Sequence, residues 1–98
     1  MIDLQSIVTQ LEPLFIKYGV VRAIVFGSYA KGTATEKSDI DIVIDSDGYL
    51  RGIEFFSAQA EMTQVLPIAS DIFEKREIKT GSKMESEINK TGVVIYER

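Results

Sequence analysis

The order of helix-like and strand-like segments along these 98 residues predicts a single small α/β domain, 1–98, with a mixed β-sheet of three to four strands covered by helices. Three observations carry that expectation. Apolar residues at Leu4, Ile7, Val8, Leu11, Leu14, Phe15 and Tyr18 step by three or four, the stripe of an amphipathic helix. Two runs rich in β-branched residues, Val20 to Phe26 and Ile40 to Asp45, are too short for buried helices and read as strands. Between them lies the spacing G-S-x10-D-x-D, formed by Gly27, Ser28, Asp39 and Asp41.

The first helix is capped by Asp3 and ends at Gly19, but Pro13 falls inside it. A proline in a helix interior removes a hydrogen bond and costs about 3 kcal/mol, so the helix is either kinked or split there, and one helix with a bend is expected. Gly27 breaks the first strand, and a short helix after Ser28 would present free N–H groups beside the strand end, where an anion can sit. Gly32 and Thr33 end that turn. After the second strand, Asp45-Ser46-Asp47-Gly48 has turn composition. It is not read as a calcium loop, because the first ligand position of such a loop would fall on Val43.

Leu50, Ile53, Phe56 and Ala60 carry a helical period to about Val65, with Gly52 as its weak spot and Pro67 as its stop. Ile68 to Phe73 is the third strand, with Asp71 within it. Ser82-x-x-Glu85 is a capping box for a last helix bearing Met84 and Ile88, which Gly92 ends. Val93 to Tyr96 closes the chain as a fourth strand or an apolar tail on the sheet.

Composition narrows the chemistry. With no Cys and no His, thiolate sites, imidazole triads and zinc-water centres are excluded, which leaves carboxylates, Lys, Tyr and hard, oxygen-held cations such as magnesium. The chain is 45% hydrophobic and 27% charged, ordinary for a folded domain. Its net charge of −4 disfavours broad binding to a nucleic-acid backbone. No membrane span and no secretion signal are read, so the expected location is the cytoplasm.

On a strand, Asp39 and Asp41 project from one face while Ile40, Ile42 and Ile44 project from the other. Carboxylates two residues apart lie roughly 6.5–7 Å from each other and repel unless a cation is shared. Two readings of the residues stand at this point: a divalent-metal and phosphate site, or the solvated start of a strand. Lys31, Lys37, Lys75, Arg76 and Lys79 are either triphosphate partners or surface charge. Tyr29 is read as a packing residue, and Asp45 as part of the turn despite sharing the face of Asp41.

The stretch from Gly27 through Ala34, together with Ser38-Asp39-Ile40-Asp41-Ile42, resembles the signature of the DNA polymerase β-like nucleotidyltransferase superfamily, and within it the minimal nucleotidyltransferases. The resemblance extends over almost the whole chain and matches Asp71 to the third acid by its place in the element order. It implies nucleotidyl transfer from ATP, with two magnesium ions on Asp39 and Asp41 and with Asp71 completing the ion, or taking the proton, at the acceptor hydroxyl. Gly27 and Ser28 would then meet the β and γ phosphates, joined by Lys31 and Lys37.

Minimal members are often encoded beside a HEPN-type ribonuclease toxin, and some act as antitoxins by transferring AMP to a tyrosine of that toxin. The resemblance implies such a partner here. The alternatives are transfer to a small molecule, and a non-catalytic module that neutralises its partner by contact.

Overall fold

The computed structural model describes residues 3–98. Met1 and Ile2, which belong to the stretch read for a secretion signal, lie outside them. The elements run α1 (Leu4–Lys17), β1 (Arg22–Phe26), α2 (Ser28–Lys31), β2 (Ile40–Asp45), α3 (Gly52–Val65), β3 (Ser70–Glu74), a 3-10 turn (Lys75–Glu77), α4 (Lys83–Thr91) and β4 (Val93–Glu97). The strands form one four-stranded sheet in the order β3-β2-β1-β4. β1 pairs antiparallel with β2 and β4, and β2 pairs parallel with β3. The expected mixed sheet covered by helices is what the chain forms.

One sheet face carries the core. Ala23, Val25, Ile40, Ile42, Ile44 and Ile72 are buried against Ile7, Leu11, Leu14 and Phe15 of α1 and Phe55, Ala58 and Met62 of α3. The Asp3 side chain accepts from Ser6 N and caps α1, as its position predicted. Pro13 does not split α1, which is a single helix of 14 residues with Pro13 on its exposed side. The physical reason is that Ile7 and Leu11 before the proline and Leu14 and Phe15 after it share one buried stripe. Burying each such side chain is worth about 1.5–3 kcal/mol, and together they outweigh the lost hydrogen bond.

Several element ends differ from expectation. Gly52 is no weak spot inside a helix: it is the first residue of α3, with φ +53°, a conformation glycine reaches without a side-chain clash. The third strand lies two residues later at its start, Ser70 rather than Ile68, and ends on Glu74. Of the capping box at α4, the Ser82 half is present, accepting from Glu85 N, but the Glu85 carboxylate accepts from Gly81 N instead of Ser82 N. A full capping box forms elsewhere, between Glu74 and Glu77 around the 3-10 turn.

That second box explains a buried acid. Glu74 is 3% exposed, and its carboxylate accepts from Ser46 N, Ser46 Oγ and Arg76 N. Ser46 Oγ in turn accepts from Leu50 N, so one carboxylate organises the β2–α3 connection from the end of β3. No helix among the described residues is long and apolar enough to cross a membrane.

Candidate functional site

The register of the sheet assembles the acids on the face opposite the core. Asp41 on β2 is opposite Phe26 on β1 and beside Asp71 on β3. Neighbouring strands lie about 4.8 Å apart, and side chains at paired positions share a face, so the Asp41 and Asp71 carboxylates are closer neighbours than any sequence spacing conveys. Asp39 lies just before β2, two residues from Asp41 and on the same side. Asp39 and Asp71 are exposed, while Asp41 is half-buried.

Phe26 and Phe73, from the strands flanking β2, bring their ring centroids within 6.2 Å of each other. Two strand spacings separate their backbones, so the rings lean over β2 beside Asp41. Burial of the Asp41 carboxyl raises its pKa above the ordinary 3.8, and the negative charges of Asp71, Asp39 and Glu87 raise it further. Four acidic groups therefore bear on one point of the sheet.

Gly27 borders that point. It holds φ +78° and ψ −149°, and a Cβ there would stand 2.8 Å from Asp41 Oδ2. Only a residue without a side chain lets the end of β1 approach the acid so closely. Ser28 opens α2, a single turn closed by Gly32 in the left-handed conformation. Tyr29 is buried in the core, in keeping with a packing role.

Lys31 pairs with Glu87 of α4 at 3.3 Å. Lys37 is exposed in the Thr35–Ser38 turn just before Asp39. Lys75, Arg76 and Lys79 are exposed beyond the opposite end of β3, and Lys75 lies 3.6 Å from Asp45. Asp45, read as part of the turn, is instead the last residue of β2, paired with Arg22 on the Asp41 face, and its carboxylate accepts from Asp47 N at the start of the turn. A cleft of about 380 Å³ opens further along the same face, between β1, β2 and α4, and begins at the Ile24–Val43 pair next beyond Asp41.

Two residues that sequence reasoning passed over face this site from α4. Glu87 bears on Asp41 and holds Lys31, and Thr91 Oγ1 accepts from Gly27 N at 2.9 Å. This bond occupies the Gly27 N–H, which lies just ahead of the helix start where the sequence places free N–H groups. The only signal available in the sequence was their i, i+4 spacing on the helix that also carries Met84 and Ile88.

The donor set suits a hard divalent cation: all oxygen, anionic, and crowded enough to disfavour ionisation of Asp41 in the absence of a counter-charge. As placed, no three acidic side chains among the described residues are arranged to hold an ion.

A parallel β2–β3 pair carrying apposed aspartates, with a Gly-Ser turn against them, defines the class of protein. Residues 9–98 match the family described as "Polymerase beta, Nucleotidyltransferase", and the chain belongs to that family. Among curated relatives, protein adenylyltransferase MntA of Thermococcus cleftensis is 31% identical over 80 residues, covering 81% of both chains. The fold is shared with a chain of a toxin–antitoxin crystal structure containing AMP-PNP, at TM-score 0.77 and 20% identity, covering 93% of this chain and 73% of that one. It is also shared with a chain of the complex between tri-AMPylated Shewanella oneidensis HEPN toxin and MNT antitoxin, at TM-score 0.73 and 18% identity, covering 97% and 73%.

Proposed function

We propose that this chain is a magnesium-dependent protein adenylyltransferase that moves AMP from ATP to a hydroxyl of a HEPN-type partner protein and thereby acts as its antitoxin. The observation that carries this reading is the pairing of Asp41 with Asp71 across β2 and β3, beside the Gly27-Ser28 turn. The identity to protein adenylyltransferase MntA over 81% of both chains supports the protein acceptor. The likeness in fold to chains of toxin–antitoxin complexes supports the partner.

The acceptor hydroxyl oxygen attacks the α-phosphorus of ATP, the bond from that phosphorus to the bridging oxygen of the β-phosphate breaks, and pyrophosphate leaves. Asp71, exposed at the edge of the acid cluster, takes the hydroxyl proton or orients the hydroxyl for its loss to water. Gly27 and Ser28 meet the β and γ phosphates, and Lys31 and Lys37 add positive charge beside them. Magnesium held by Asp39, Asp41 and Asp71 would neutralise charge on the triphosphate and the leaving pyrophosphate. The need for ATP supports a cytoplasmic setting.

The test is co-expression with the neighbouring gene product, followed by incubation with ATP and magnesium and intact-mass measurement of the partner. A gain of one or more AMP units, lost in the Asp39→Ala/Asp41→Ala double variant, is the expected result. No adduct on the partner, or equal neutralisation of the partner by the double variant, would overturn the proposal.

A further inference from the structure

We propose that Thr91 and Glu87 form a latch in which the C-terminal turn of α4 competes with the phosphates of ATP for Gly27 and Lys31, so that α4 sets nucleotide affinity. This rests on the phosphate-binding role proposed above for those two residues.

The hydrogen-bond directions define the competition. The Thr91 hydroxyl has one proton and gives it to the Glu87 carbonyl oxygen at 2.8 Å. Toward Gly27 it therefore acts only as an acceptor, receiving that residue's single N–H at 2.9 Å. One turn earlier on the same helix, the Glu87 carboxylate meets the Lys31 ammonium at 3.3 Å. An oxygen acceptor on a backbone N–H and an anion on a lysine are the two kinds of contact a phosphate makes at a glycine-led turn. Thr91 and Glu87 supply both from the protein itself.

A phosphate oxygen that takes the Gly27 N–H must displace Thr91 Oγ1, because the backbone there cannot readily turn its N–H elsewhere. The φ +78° conformation holds Gly27 so close to Asp41 Oδ2 that even a Cβ would not fit. Anionic oxygen is a stronger acceptor than a hydroxyl, so the exchange runs toward the nucleotide at the cost of the latch. The helix is able to yield: α4 has no buried residue and packs on β1, not in the main core. Withdrawal of Glu87 also removes one of the negative charges that bear on Asp41.

The test measures ATP binding with magnesium by calorimetry for the wild type, Thr91→Val, Thr91→Ser and Glu87→Gln. Thr91→Val removes the competing acceptor without changing charge and is expected to bind ATP roughly two- to tenfold more tightly, the range one net hydrogen bond spans. Thr91→Ser keeps the hydroxyl and is expected to match the wild type, while Glu87→Gln binds more tightly. The gain should appear for ATP and be missing for AMP, which lacks the phosphates that reach Gly27.

Unchanged affinity in a folded Thr91→Val protein, or weaker binding because the hydroxyl belongs to the nucleotide site, would overturn the latch. If Thr91→Val does not fold, amide exchange in the wild type decides: ATP should perturb the Gly27 amide and reduce protection across residues 87–92 together. A Gly27 response with unaltered protection in α4 counts against the proposal. A wild-type chain that does not bind ATP at all removes the nucleotide site itself and the latch with it, whereas binding without a Thr91→Val gain removes the latch alone.

Discussion

Replacing Gly27 by alanine tests how the end of β1 is fitted to the acid cluster. The residue holds φ +78° and ψ −149°, a region that essentially only glycine occupies, and forcing a side chain into it costs about 1–3 kcal/mol. The added Cβ would also stand 2.8 Å from Asp41 Oδ2, so the carboxylate must leave its rotamer at about 0.5–1.5 kcal/mol. Together these come to about 2–4 kcal/mol, a large share of the 5–15 kcal/mol by which a typical domain is stable. At about 4–8 °C per kcal/mol for a chain of this size, the melting temperature should fall by roughly 10–30 °C.

Thermal unfolding followed by circular dichroism measures the fall, and a double-mutant cycle separates its parts. With Asp41→Ala the carboxylate contact is gone, so Gly27→Ala in that background should cost only the backbone part, about 1–3 kcal/mol. A Gly27→Ala protein melting within about 2 °C of the wild type would refute the reasoning, since neither strain nor contact would then be present.

Asp41→Asn should raise the melting temperature at neutral pH in magnesium-free buffer while abolishing transfer. The Asp41 pKa is raised by burial and by Asp71, Asp39 and Glu87, so its stabilising contribution is present below the ordinary value of 3.8 and lost as pH rises through the higher folded value. The gap between variant and wild type should therefore widen from about pH 4 toward neutrality in melting scans, and a constant gap would contradict the assignment. Glu74→Ala leaves Ser46 N–H and Oγ without their buried acceptor and should lower unfolding free energy by about 1–3 kcal/mol in urea titrations. Phe15→Ala removes a fully buried ring that lies 5.1 Å from Tyr96, and should cost about 3–5 kcal/mol in the same assay.

The sequence by itself determined the elements, because their signals are local. The apolar stripe of α1, the alternation of Ile40, Ile42 and Ile44 and the glycines at strand and helix ends each follow from the neighbours along the chain. It also made Asp39 and Asp41 legible as a same-face pair, since a strand's period of two needs no partner strand to be known. One helix runs through Pro13 because core burial outweighs a lost hydrogen bond, whereas Gly52, read as a weak spot inside a helix, is the first residue of α3.

Only the tertiary structure decided which groups meet. Asp71 reaches Asp41 through the parallel register of β2 and β3, and Glu87 and Thr91 reach Lys31 and Gly27 because α4 folds back over β1. Such contacts join residues tens of positions apart, and no periodicity or spacing encodes them. They depend on how the sheet is ordered, on which face each helix covers, and on the close approach that a glycine at position 27 permits.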